Sequence, residues 1–222
     1  VSVPSDTPGV KIFDRNPYYF KVDSEGKQLP YIDRLVSVQV EDVEMVNQRV
    51  LSGDVDFLRE STALVKVPLY KENEEKGGFN TVLTDMHVDS SALFLNQTFD
   101  DPTWRKVVQD VRFRQALSLA INRDEIIESV YYGFASKPTV SVGEEFSTYD
   151  VAKANALLDE MGLTERDANG MRMVDGKPFS ILLEHGAHAP DLGPVAELVS
   201  EQFKEIGIDL QVKQIDPQLW DQ

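Results

Sequence analysis

His185 and His188, in the stretch His185-Gly186-Ala187-His188, form the one close histidine pair in the chain. Imidazoles are the first side chains to test for metal, proton-transfer or ligand chemistry. A metal would need two more ligands. Asp191 lies within reach along the same stretch, but the spacing is loose for a tetrahedral site, and no metal is expected. Two readings remain for the pair: solvated loop side chains, or a ligand contact from one ring. Glu144-Glu145 offers carboxylates for acid–base work, yet adjacent residues rarely converge on one substrate. Asp124-Glu125 is explained by helix capping. Asn96-Gln97-Thr98 matches a glycosylation acceptor, a three-residue pattern that arises often by chance. No GxSxG, Walker A, HExxH or GxGxxG pattern occurs, and there is no cysteine. The missing thiols exclude disulfides, thiolate metal sites and a cysteine nucleophile. What remains is a binding scaffold with polar groups on loops at strand ends, where α/β sheets place ligands.

The elements that must position those loops are legible from periodicity. The stretch from Trp104 to Phe134 reads as two helices with a break between them. Val111, Ala116, Leu117, Ala120 and Ile121 share an apolar face at a 3.6-residue period, with Arg112, Arg114 and Gln115 opposite. Asn122 restarts the helix as a cap, with Glu125 placed to reach back as a capping box. Ile126, Ile127, Val130 and Tyr131 then point inward, and Gly133 ends the unit. Such a pair is too short to stand alone and must pack on a larger body.

Before it, residues 1–9 read as linker, Val10 to Arg15 as a short strand, and Leu35 to Val40 as another. Tyr18-Tyr19-Phe20 is either a core plug under a loop or a ligand-stacking platform. A helix runs from Asp42 to Leu51, then a short strand from Val55 to Leu58. A helix from Thr62 to Glu75 is kinked or split at Pro68. Phe79 to Thr84 and Ser91 to Asn96 read as strands. After the helix pair, Ala135 to Ser147 reads as a loop, and Tyr149 to Met161 as a helix capped by Asp150. A hairpin is expected around Met171 to Val174, between Asn169-Gly170 and Asp175-Gly176. Strand Phe179 to Glu184, loop Ala187 to Gly193, helix Val195 to Ile206 and strand Ile208 to Ile215 complete the chain. Alternating strands and helices give an α/β layered fold.

Bulk composition narrows the class. The 222 residues suffice for one or two domains, and the formal charge is 22 − 38 = −16. A surface that acidic repels phosphate backbones and anionic lipid, so no nucleic-acid partner is expected. No run approaches the length of a membrane-spanning helix. The chain starts with valine and shows no signal-peptide pattern, and it is expected to be a piece of a longer protein.

Several stretches together resemble the solute-binding proteins of bacterial ABC importers, in the family of oligopeptide-, dipeptide- and nickel-binding proteins. They are Arg15-Asn16-Pro17-Tyr18-Tyr19-Phe20 with Leu29-Pro30-Tyr31-Ile32-Asp33, Leu51-Ser52-Gly53-Asp54-Val55-Asp56, and Leu95-Asn96. They continue with Asp110-Val111-Arg112-Phe113-Arg114-Gln115-Ala116-Leu117 through Ala120-Ile121-Asn122-Arg123, then Tyr149-Asp150 with Leu157-Leu158-Asp159-Glu160-Met161-Gly162, and Phe203-Lys204-Glu205-Ile206-Gly207-Ile208. The resemblance implies a type II periplasmic-binding-protein-like fold, with mixed sheets, flanking helices and a partial two-lobe architecture. Residues 1–95 would be part of the first lobe and residues 96–222 most of the second, with a hinge near Leu95 to Phe99. It further implies a periplasmic or membrane-tethered extracytoplasmic receptor. Such a receptor delivers peptides, or oligosaccharides or chelated metal, to ABC permease subunits in the inner membrane. No catalysis and no cofactor are implied.

Within that reading, the cleft-lining candidates are the loop from Glu184 to Asp191, His185 and His188 first, with Asn96 and Tyr132 behind them. Shifting a closure equilibrium from 1:99 to 99:1 takes about 5.5 kcal/mol of differential affinity. A piece lacking part of one wall is therefore expected to bind weakly or not at all. The rival readings are a sensory domain of a regulator or chemoreceptor, and a peptide or glycan hydrolase.

Overall fold

The computed structural model describes every residue except 1, 41, 60–61, 85–90, 138–143, 187–188 and 217–222, and the backbone alone at 144. The chain is mixed α/β and divides into two units, residues 1–58 with 76–79, and residues 59–75 with 80–222. Packing within the chain thus groups residues 80–95 with residues 96–222, whereas the expected lobe boundary lies near Leu95.

In the first unit, β1 (Ser2–Val3), β2 (Val10–Asp14) and β3 (Arg34–Val38) form an antiparallel sheet in that order. β2 alternates as its sequence predicts, with Lys11 and Phe13 on the exposed side. The register puts Asp14 opposite Arg34, and their side chains pair at 2.6 Å. The Arg34 guanidinium holds the Asp14 carboxyl below the usual carboxylate range. Ser2 and Val3, expected as linker, instead extend the ladder against Phe13 and Ile12. Tyr18 and Phe20 are 89% and 81% exposed, so they are not a core plug. The turn there is ordered by polar bonds, with Asn16 Oδ1 accepting from the Tyr18 N–H at 3.0 Å. Asp42 caps α1 (Val43–Leu51) by accepting from the Met45 N–H at 2.7 Å. Gly53, at φ +77°, ends it where a Cβ would lie 2.6 Å from the Gly77 carbonyl oxygen, so only glycine fits. Residues 55–58, expected as a strand, form no ladder.

The second unit opens with a 3-10 turn, Leu64–Lys66, and α2 (Val67–Gly77), whose last turn is counted with the first unit. Pro68 falls in the first turn of α2, where its missing N–H has no partner to lose, so the segment splits instead of kinking. Phe79 to Thr84 has no strand pairing. Ser91 to Asn96 keeps the two-residue alternation of burial, with Leu93 and Leu95 against the core and Phe94 exposed. It too lacks a ladder, because no described strand lies alongside to exchange backbone hydrogen bonds. The expected helix pair is three pieces: α3 (Pro102–Val108), α4 (Val111–Ala120) and α5 (Arg123–Ser129). The extra break comes from Asp110, which accepts from the Arg112 N–H at 2.9 Å and restarts the helix. At the second break Asn122 Oδ1 accepts from the Glu125 N–H at 3.2 Å. Glu125 does not reach back as expected. The Asn122 N–H donates to Gln202 Oε1 at 3.0 Å, and Gln202 Nε2 donates to Glu125 at 2.9 Å. A residue 80 positions away therefore closes the box.

α6 (Glu144–Ser147) lies where the sequence predicts a loop, and α7 (Val151–Glu160) is capped by Asp150. The hairpin of β4 (Met173–Val174) and β5 (Lys177–Pro178) turns at Asp175 and Gly176, both at positive φ. β6 (Ser180–Gly186), α8 (Leu192–Glu205) and β7 (Asp209–Ile215) then form a parallel β-α-β unit, in register from Ser180 opposite Asp209 to Gly186 opposite Ile215. The core gathers where α4, α7, α8 and this sheet meet, around Phe113, Leu119, Leu158, Val199, Phe203 and Ile208.

One cation is buried beside that core. The Arg172 side chain is 1% exposed. Its guanidinium donates to the Ile206 carbonyl at 2.8 Å, to the Leu163 carbonyl, to Asn155 Oδ1 at 2.7 Å and to Asp159 Oδ1 at 2.6 Å. It thereby satisfies the carbonyls just past the ends of α7 and α8. Removing one partner of a buried charge network leaves the others unpaired, so Arg172→Met is expected to cost about 3–5 kcal/mol. Urea denaturation followed by circular dichroism would measure it, with a midpoint unchanged from the parent as the contrary result.

Candidate ligand-binding site

Parallel strands end together, so β6 and β7 present their C-terminal ends on one edge, and α8 returns with its N-terminus at the same edge. Open α/β sheets hold ligands at such edges. The polar residues gathered there come from three distant stretches. Tyr131, two residues beyond α5, donates to Asp191 Oδ2 at 2.8 Å, and its hydroxyl also meets Ser91 Oγ at 2.9 Å. Asp191 is the N-cap residue of α8, yet its side chain makes no capping bond to that helix. Asp42, Asp101, Asp110, Asn122 and Asp150 all cap their own helices. At α8 alone among these, the cap side chain is turned to a tyrosine; the Leu192 N–H donates to the Ala189 carbonyl at 3.3 Å and Pro194 has no N–H, so the Gly193 N–H is the first-turn group left without a cap acceptor.

Burial pushes the Tyr131 hydroxyl up to about 12; the hydrogen bond with Ser91 opposes this, and the Asp191 carboxylate adds to it. Tyr131 is thus a neutral donor through the physiological range, and Asp191 is its acceptor.

His185 lies on β6, which runs two residues further than expected. Its side chain is partly buried on the face shared with Ile181 and Leu183. Nδ1 lies 3.2 Å from the Gly186 carbonyl, and Cε1 would be 3.7 Å from a Cβ on Gly193, in the first turn of α8. His185 is therefore part of the same edge as Asp191. His188 lies outside the described residues. Asn96 is exposed and holds its own turn, its Oδ1 accepting from the Thr98 N–H and hydroxyl at 3.0 and 3.1 Å. The indole of Trp104 donates to the Asn96 carbonyl at 2.6 Å, and that ring stacks on Phe179. Tyr132 is 54% exposed, with its backbone in the left-handed region at φ +51°. The structure brings His185 to the edge with Asp191.

Ser91 and Tyr131 are polar site residues that sequence reasoning misses. Periodicity places Tyr131 in the core, but α5 ends at Ser129, so the helical period no longer applies two residues later. The sequence signal for Asp191 is its place at the end of the loop from Glu184, within reach of the histidine pair. Ser91 lies 40 residues from Tyr131 and carries no local signal. Among the described residues, no group of three or more histidine, cysteine, aspartate or glutamate side chains is placed to hold a metal. No described helix is long and apolar enough to cross a membrane.

Residues 5–222 match the family described as bacterial extracellular solute-binding proteins, family 5 Middle. The chain belongs to that family. Curated relatives of this family 5 chain include the probable ABC transporter-binding protein of Deinococcus radiodurans, 27% identical over 92% of this chain and 37% of its own length. The oligopeptide-binding protein AppA of Bacillus subtilis is 25% identical over 94% of this chain and 39% of its own. The nickel-binding periplasmic protein of Escherichia coli is 27% identical over 72% and 31%. Among solved structures, the oligopeptide-binding protein OppA superposes with a TM-score of 0.65 at 33% identity, covering 98% of this chain and 37% of that one. NikA of Brucella suis, solved with Fe(III)-EDTA, gives a TM-score of 0.73 at 21% identity, covering 98% and 43%. MelB of Agrobacterium fabrum, solved with stachyose, gives 0.67 at 20%, covering 100% and 36%. The chain spans well under half the length of each of these proteins. The last two likenesses carry the fold, which is that of periplasmic binding proteins.

The Tyr131 shift has a pH signature. The fold favours the neutral phenol, while the unfolded chain ionises near pH 10. The associated stability is complete below pH 10 and is lost as pH rises toward 12. Tyr131→Phe is expected to flatten the fall in urea stability between those pH values relative to the parent. Parallel curves for the two proteins would contradict the burial of this hydroxyl.

Proposed function

We propose that this chain is the central part of an extracytoplasmic solute receptor of an ABC importer, and that it holds its solute without chemical change. Family 5 membership supports the reading, and the geometry agrees with it. The C-terminal edge of β6 and β7 carries a neutral tyrosine donor, a carboxylate, an imidazole and the Gly193 N–H at the start of α8. Such a set can bind both ends of a small polar solute by hydrogen bonds and has no activated nucleophile. The single observation that carries the site is the diversion of Asp191 from its helix to Tyr131.

Peptides are the first solute class in this proposal, because relatives named for oligopeptide binding align along nearly the whole chain. Oligosaccharides and chelated metals are the other two, after the nickel-binding and stachyose-bound proteins. His185 and Asp191 are the proposed contacts, with Tyr131 positioning Asp191, and His188, Asn96 and Tyr132 are retained as further candidates. The proposed partners are the permease subunits of the importer. The lobe assignment, residues 1–95 and 96–222, belongs to the same proposal.

A ligand that shifts a closure equilibrium must touch both walls. The 222-residue chain is therefore expected to bind weakly, with dissociation constants well above the micromolar range. Heteronuclear NMR titration with di- to pentapeptides, stachyose and nickel–histidine would test this. Shifts clustering at Ser91, Tyr131, His185 and Asp191 support the site, and shifts confined elsewhere overturn it. Turnover of a mixed peptide or glycan pool, lost on His185→Ala, would overturn the binding-only reading.

A further inference from the structure

The second unit carries a surface groove along α8, beginning beside the Tyr131–Asp191 contact. It has a volume of about 660 Å³ and runs between the end of α5, the outer face of α8 and β7. Its apolar lining is Val130, Pro194, Leu198 and Val212, and its charged lining is Glu197 and Glu201. No cationic side chain lines it among the described residues. Among the described residues no cation pairs with Glu197, while Glu201 shares its exposed carboxylate with Lys204, three residues along the helix. The Ser200 hydroxyl is already committed to the Leu210 carbonyl at 2.6 Å.

Two polar ties join the helices beside the groove. At one end the Asn122 N–H and Glu125, in the first turn of α5, are bound to Gln202 of α8. At the other end Tyr131, just past α5, is bound to Asp191 at the start of α8. An apolar trough with fixed walls and an acidic rim is complementary to an apolar side chain flanked by cations. The whole chain, at net charge −16, attracts such a segment and repels an acidic one.

We propose that this groove is a protein-docking surface, and that its occupant is a partner segment presenting a leucine- or valine-sized side chain between lysines or arginines. The proposal does not depend on which solute the chain carries. Seated in the groove, the apolar side chain covers Leu198 and Val212, and the flanking cations reach Glu197 and Glu201.

The test is a methyl NMR titration of the 222-residue chain with three end-blocked hexapeptides. One has a Leu-Val centre flanked by lysine pairs, the second has glutamates for the lysines, and the third has Ser-Gly for Leu-Val. The lysine–leucine peptide is expected to shift Val130, Leu198 and Val212 saturably. Its dissociation constant should rise about tenfold on going from low to physiological salt, and at least about tenfold in Glu197→Lys. Leu198→Ser should also abolish the shifts, with an unchanged circular dichroism spectrum showing that the variant is folded. Equal binding of the glutamate or Ser-Gly peptide overturns the proposal, as does the absence of shifts at millimolar peptide. Shifts of the same methyls that grow with protein concentration alone would assign the groove to a second copy of the chain, and would overturn it too.

Discussion

Parallel strands cannot be joined by a tight turn, and the crossover between β6 and β7 governs the second unit. The chain must leave the C-terminal end of β6, cross the sheet and re-enter at the N-terminal end of β7. α8 makes that crossing, and its buried face, including Val195, Val199 and Phe203, supplies the layer that a parallel ladder needs. The remaining parts adapt to this unit. α4 and α7 add to the core beside α8, and the guanidinium of Arg172 fastens the segments just beyond α7 and α8. The edge with Asp191 and His185 is a geometric consequence of the crossover, not a separate construction.

Much of this is legible in the sequence because it is local. Asp42, Asn122 and Asp150 mark helix starts, and each does cap a helix. The alternation in Phe179 to Glu184 and Ile208 to Ile215 identifies the two strands to within two residues. The hairpin at Asp175-Gly176 follows from turn chemistry alone. The errors over strands share a cause, which is that strand pairing is not local. Ser91 to Asn96 has the correct alternation and no described neighbour to pair with, while Ser2 and Val3 have little pattern and acquire one. The aromatic cluster at Tyr18 to Phe20 misleads for the opposite reason, because apolarity does not say what will cover a side chain.

The polar site is the least legible part. An aspartate before a helix promises a cap, and Asp191 breaks that promise through a tyrosine 60 residues away. Gln202 is a parallel case. Its position on the buried face of α8 suggests packing, and its role is to complete the start of α5. Both contacts use a backbone or side-chain group that sequence logic assigns to a local partner.

The two ties between α5 and α8 act together as a caliper. One grips the front of the short helix and the other grips the turn behind it, so the two helices can neither slide nor splay without breaking polar bonds at both jaws. The spacing of the two helices is therefore set by directional side-chain hydrogen bonds, not by apolar packing alone.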